Sequence, residues 1–95
     1  MESGGWVYIV TNRPNGTLYI GVTSNLARRM GQHRAGTFDG FTRQHGLKLL
    51  VYSERHEEIV TAIAREKRLK TWLRAWKVRL IHAENPKWRD LSVDL

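Results

Sequence analysis

The sequence predicts an α+β domain: a small, three-stranded, mainly antiparallel sheet flanked by helices, in the order β-β-α-β-α-α. Three observations carry this. Two β-branched and aromatic runs, Trp6-Val7-Tyr8-Ile9-Val10-Thr11 and Thr17-Leu18-Tyr19-Ile20-Gly21-Val22-Thr23, are separated only by turn residues. Later segments switch to the helical spacing of apolar residues. Strands and helices do not alternate as βαβ units, so a parallel sheet is not expected. The chain has 95 residues, the length of one domain, and residues 1–95 are read as one.

The elements follow in order. Asn12-Arg13-Pro14-Asn15-Gly16 is turn chemistry, with Pro fixing φ and Asn-Gly tolerating left-handed backbone, so the first two strands form a hairpin. Its register decides whether Tyr8 and Tyr19 share a face, because side chains alternate along a strand. If Thr11 pairs with Gly16, Tyr8 opposes Tyr19 and both point the same way. If Thr11 pairs with Thr17, they point apart. The residues alone do not choose; a shared site needs the first register, which is the expectation.

Thr23 or Ser24 can cap a helix that carries Leu26, Met30 and His33 at helical spacing and stops at Gly36. Residues 36–46, with three glycines, read as a loop, and 47–53 as the third strand. Residues 57–73 are helical, with apolar positions 59, 62, 63, 69 and 73 marking a core stripe. Residues 74–83 form a further helix. No Gly or Pro separates the two, so one bent helix is an open alternative. Asn85-Pro86 is the stop. The tail Trp88-Arg89-Asp90-Leu91 is expected to pack back on the body, and Trp72, Trp76 and Trp88 to join the core.

Composition narrows the function. Sixteen Lys and Arg against nine Asp and Glu give a net charge of +7, which points to a polyanionic partner. Nucleic acid is the first candidate and an anionic membrane surface the rival. No run approaches the roughly 20 apolar residues of a membrane span. Met1 to Gly5 lacks the features of a secretory signal, and a cytoplasmic location is the default expectation. The absence of cysteine excludes disulfides, thiolate zinc sites and cysteine nucleophiles. No Gly-rich phosphate loop or paired-His metal motif is present.

Two helices carry polar residues at informative positions. Glu66 lies on the apolar stripe, three residues from both Ile63 and Leu69. A carboxylate there is costly unless it is paired or binds a metal. On periodicity alone, a solvated pair with Lys70 at i+4 is the stronger reading. On the first helix, Arg29 and His33 share a face. Arg suits a phosphate through its fork geometry, and a His one turn away can relay a proton. The bland alternative is a solvated basic helix. Arg28, Lys67 and Lys70 are candidate phosphate contacts, which would make binding salt-dependent.

Together these residues resemble the GIY-YIG nuclease superfamily, and in particular its short stand-alone bacterial members. Trp6-Val7-Tyr8 keeps the tyrosine of the first motif strand, and Tyr19-Ile20-Gly21 keeps the second motif whole. Arg29 and His33 match the arginine and histidine of the following helix, and Glu66 the metal-binding glutamate of a later one. Asn85 is the candidate for a late asparagine. The resemblance covers almost the whole chain and reverses the odds on Glu66. It implies metal-dependent hydrolysis of DNA, of unresolved strandedness, with one Mg²⁺ or Mn²⁺ held by Glu66. It also implies Tyr8, Tyr19, Arg29 and His33 as catalytic partners, and Gly21 and Asn85 as supports. Tyr8 would act as or position the base, provided nearby cations lower its pKa. An inactive nucleic-acid-binding module on the same fold is the alternative.

Overall fold

The first strand runs through the middle of the molecule. In a computed structural model that describes residues 4–95, β1 (Gly5–Thr11) is flanked by β2 (Leu18–Thr23) and β3 (Leu49–His56), both antiparallel to it, in the order β2-β1-β3. Residues 1–3, on which the reading of the N-terminus partly rests, lie outside the described residues. The helices are α1 (Leu26–Ala35), a short α2 (Gly40–Gln44), α3 (Ile59–Lys70) and α4 (Arg74–Glu84), and a 3-10 turn spans Leu91–Asp94. The predicted order therefore holds, with α2 added.

The sheet has a core on each face, because alternate residues of β1 point opposite ways. Val7 and Ile9 pack with Ile20, Tyr52, Ala62, Leu69, Ile81 and Trp88, on the side covered by α3 and α4. Tyr8 and Val10 pack with Leu26, Met30, Leu47 and Leu50, on the side covered by α1. Gly5 lets α3 approach closely, since a Cβ there would overlap Ile59 and crowd Ala62.

The hairpin register differs from the expected one. Thr11 pairs with Leu18, so Tyr8 opposes Gly21 and Tyr19 opposes Val10. The turn is two residues longer than assumed. Asn12 Oδ1 accepts from Thr17 N at 3.1 Å, Gly16 N donates to Arg13 O at 2.9 Å, and Asn15 takes a left-handed φ of 59°. A shift of two residues preserves parity, so the tyrosines still share a face as diagonal neighbours.

β3 carries a bulge. Ile9 pairs with Tyr52 but Val10 with Leu50, which leaves Val51 as the extra residue. A bulge frees backbone groups that must find other partners. Here the C-terminal segment supplies them: Asn85 Nδ2 donates to Val51 O at 3.0 Å, and Asp90 Oδ1 accepts from Leu50 N at 3.2 Å. The expected folding-back of the tail thus has a definite task.

Other departures are local. Asp39 caps α2 by accepting from Phe41 N at 2.7 Å, so residues 36–46 are not all loop. Asn25, not Thr23 or Ser24, caps α1; its side chain accepts from Arg28 N. Gly36 ends that helix in the left-handed region with φ of 71°, as its position suggested. A turn at residues 71–73 separates α3 from α4, which settles the two-helix reading. Ile63 and Leu73 prove exposed, and so does Trp76, at 46%. Burial on α3 follows the narrower line Ala62, Glu66, Leu69, because only that line faces the sheet.

Candidate active site

The Tyr8 hydroxyl is the centre of a small polar network. Tyr8 is fully buried on β1, and its oxygen lies 2.9 Å from His33 Nε2. Arg29 Nη1 donates to the same oxygen at 3.1 Å and to Val22 O at 3.3 Å. Arg29 Nε donates to Gln32 Oε1 at 3.3 Å, and the guanidinium lies 3.9 Å from the Phe38 ring centroid. Arg29 is thus fixed on four sides. The i, i+4 spacing of Arg29 and His33 brings both onto the Tyr8 oxygen because Leu26 and Met30 anchor the same helix face in the core. Tyr19, on the edge strand β2, completes the group with its ring edge-on to His33 at 5.9 Å.

Gly21 explains how Tyr8 fits. It sits directly across from Tyr8, and a Cβ at 21 would overlap the Tyr8 ring and hydroxyl. Gly21→Ala should therefore displace that ring. Overpacking of this kind costs about 1–3 kcal/mol. We expect a lowered melting temperature together with impaired function at the Tyr8 site. An unchanged melting temperature would show that the ring has room to move.

Burial sets the electrostatics. The Tyr8 phenol is pushed up to about 12 by desolvation, which outweighs the hydrogen bond and charge of Arg29. Arg29 lowers it as expected, but burial is the larger effect and the net shift is upward. Tyr19 is also raised, by burial and then by Asp39, with Lys70 and Arg29 opposing. His33 is only 2% exposed. Its pKa is lowered from 6.5 to about 4, by burial first and Arg29 second, with Asp39 opposing. The imidazole is therefore neutral near pH 7.

A stability prediction follows from His33. The unfolded chain takes up a proton near pH 6.5 that the folded chain refuses until about 4. The unfolded state then binds more protons, so stability falls as pH drops through that window and no further below it. Thermal melts between pH 7 and 4 should show this loss, and His33→Gln should flatten it. An equal slope in the variant would place the effect on other groups.

Glu66 stands on α3, near enough for its charge to act on Tyr19. It is 8% exposed, and its Oε2 accepts from Lys70 Nζ at 2.6 Å. That hydrogen bond raises the Lys70 pKa. Both charges act on Tyr19, where Lys70 favours the phenolate and Glu66 opposes it. The i+4 pair expected on periodicity does form, yet its glutamate is buried rather than solvated. Lys70, predicted as a phosphate contact, is engaged with Glu66.

Among the described residues no cluster of three or more His, Asp, Glu or Cys could form a protein-made metal cage. The donor set is one buried carboxylate, already facing a cation in the Lys70 ammonium. This fits a hard ion that keeps most of its ligands as water or phosphate oxygen.

The remaining predicted residues are placed as follows. Arg28 is exposed and helps line a polar hollow of 250 Å³ with Thr23, Ser24, Asn25, Arg29 and Gln32. Lys67 is exposed on α3. Asn85 is not drawn to the Tyr8 network. Its amide donates to Val51 O and Arg89 O and accepts from Arg89 N, at 2.9–3.0 Å, which holds the tail in place.

Sequence reasoning missed two neighbours. Phe38 stacks edge-on against His33 at 5.0 Å and covers Arg29, and Asp39 acts on both tyrosines and His33. The Asp39-Gly40 pair is a helix-start signal that could have been found.

The match that decides the family spans residues 4–79, which fit the model described as the GIY-YIG catalytic domain. The chain belongs to the GIY-YIG family. It is similar to a UPF0213 protein of Natronomonas pharaonis, 36% identical over 84 residues that cover 88% of this chain and 98% of that one. A UPF0213 protein of Staphylococcus haemolyticus is 36% identical over 76 residues, 80% of this chain and 92% of that protein. The solution NMR structure of a UPF0213 protein from Bacillus halodurans superposes with a TM-score of 0.57 at 25% identity, covering 92% of each chain. The GIY-YIG α+β fold is thereby shown, with the three-stranded antiparallel sheet as its centre. No helix of the described residues is long and apolar enough to cross a membrane.

Proposed function

We propose that this GIY-YIG chain is a divalent-metal-dependent endonuclease that hydrolyses DNA phosphodiester bonds, with Glu66 holding one Mg²⁺ or Mn²⁺. The observation that carries the reading is the convergence of Arg29 and His33 on the Tyr8 oxygen, together with a carboxylate, Glu66, buried on α3. The net charge of +7 suits a DNA partner. A cytoplasmic location belongs to the same proposal.

Tyr8 is the base in its ionised form. Its oxygen then accepts from Arg29 Nη1 and from a proton on His33 Nε2. That tautomer leaves His33 Nδ1 as a bare lone pair, consistent with its burial without a partner among the described residues. A buried acceptor without a partner is more common than a buried N–H without one. Tyr8 takes the proton of the attacking water, which requires the Arg29–His33 enclosure of its fully buried oxygen to open. Arg29 and Arg28, which line the polar hollow, neutralise charge on the phosphoryl oxygens. Tyr19 and His33 orient the water and the Tyr8 oxygen. The ion, when bound, supplies charge that polarises the phosphate and stabilises the leaving oxygen.

The Glu66–Lys70 pair favours a second reading, an inactive DNA-binding module in which Lys70 permanently replaces the ion. A cleavage assay titrated with Mg²⁺ and Mn²⁺ on single-stranded, double-stranded and branched DNA separates the two. The nuclease reading predicts metal-dependent cleavage of at least one form. Binding without turnover at every metal concentration would establish the module instead.

A further inference from the structure

Where α3 turns into α4, an open groove of 440 Å³ is lined by Trp72, Trp76, Arg79 and Leu80. The indoles of Trp72 and Trp76 stand nearly perpendicular, 82° apart with centroids at 6.1 Å. Trp76 leaves 46% of its surface exposed. Trp72 is braced from behind by the Arg65 guanidinium, 5.3 Å from its ring centroid. Glu54 holds that arginine by accepting from Nε at 3.0 Å, and it also takes the Tyr52 hydroxyl at 2.6 Å and lies 2.6 Å from His56 Nε2. The exposed indole therefore rests on a fixed support. A second hollow, of 480 Å³, lies beyond Arg79 and is lined by Arg74, Ala75, Val78, Arg79 and His82.

We propose that the Trp72–Trp76–Arg79 groove binds unpaired bases of a single-stranded nucleic acid. An aromatic left half bare on a folded surface calls for a partner with an apolar face. The charges around it say which. Arg79 forms the ridge between the two hollows, and Arg68 and Lys77 stand on the same pair of helices. A second copy of the chain would bring these cations against their own kind. A nucleotide strand presents planar faces for the indole and an anion for the guanidinium. Two hollows flanking one arginine suit its base–phosphate–base repeat. In a duplex the base faces are already stacked on one another, so the groove selects unpaired strands.

This inference rests on the reading that the chain handles DNA, and it deepens that reading by naming the substrate form. The test is binding without metal, so that no cleavage occurs. Fluorescence anisotropy with labelled oligothymidine of roughly 12 nucleotides is measured for wild type, Trp76→Ala, Trp76→Tyr and Arg79→Gln. Loss of one stacking aromatic should weaken single-strand binding about tenfold in Trp76→Ala. Trp76→Tyr should keep most of the affinity. Arg79→Gln should reduce the salt slope by about one. A duplex of equal length should be little affected by either Trp76 change. Arg79→Gln decides the matter if Trp76→Ala proves unfolded in a thermal melt.

Undiminished binding by the variants would overturn the proposal. So would an equal loss for duplex, which would mark a general basic surface. A wild-type dimer in sedimentation that Trp76→Ala dissolves would make the groove a self-interface. Failure of cleavage with intact Trp76-dependent binding would remove the nuclease reading and leave the groove standing.

Discussion

Glu66→Gln is expected to abolish metal-dependent cleavage while leaving DNA affinity equal or higher. The substitution keeps the shape of a side chain that is 8% exposed, so the packing between Ala62 and Leu69 survives. What disappears is the negative charge of the one carboxylate that is buried among the described residues. An ion in such a site contributes several kcal/mol to transition-state stabilisation, so the loss should be on the order of a thousandfold or more. DNA affinity should not fall, because Lys70 is released from its 2.6 Å partner and adds a free positive charge. Single-turnover cleavage in Mn²⁺ and a parallel gel-shift titration check both halves. Cleavage near the wild-type rate would remove Glu66 from the site.

Arg29→Ala should cost about two to three orders of magnitude in cleavage rate, the usual consequence of losing a fixed donor to developing charge. Arg29 makes two distinct contributions. It donates to the Tyr8 oxygen at 3.1 Å, and its charge is among the factors that hold the Tyr8 phenol down against burial. Wild-type activity should climb with pH through the alkaline range, since Tyr8 ionises only near 12 and its phenolate fraction grows with each unit below that. Without Arg29 the phenol moves higher still, and the whole profile shifts to more alkaline pH. Arg29→Lys should rescue little, because an ammonium cannot serve Tyr8, Val22 and Gln32 from one planar fork. The pH–rate profile of each variant is the measurement. A wild-type profile that levels off below pH 8 would exclude Tyr8 as the base.

Much of this arrangement was legible in the sequence, for identifiable reasons. Tyr8 and Tyr19 share a face because parity, not the absolute register, decides it. An error of two residues in pairing left the conclusion intact. Helical spacing put Arg29 and His33 on one face with Leu26 and Met30. For Glu66, between Ile63 and Leu69, spacing alone favoured a solvated pair with Lys70, and the family resemblance pointed the other way.

What escaped lies where period and context part. Trp76 looked like core because tryptophan usually is, yet the turn at 71–73 rotates α4 so that its indole faces out. Phe38 and Asp39 were hidden in a glycine-rich stretch without a period. The network of Tyr52, Glu54, His56 and Arg65 was missed because the third strand was ended at Ser53. Extended to His56, its two-residue alternation puts those three strand residues on one face. The height of the Tyr8 pKa was not readable at all, because desolvation depends on complete burial beneath α1.

The most direct test of the site is the number of Mn²⁺ ions bound per chain, read by electron paramagnetic resonance with a non-hydrolysable DNA analogue present. The account predicts one ion on the wild type and none on Glu66→Gln. Two ions on the wild type, or one that persists in the variant, would contradict a single-metal site built on Glu66.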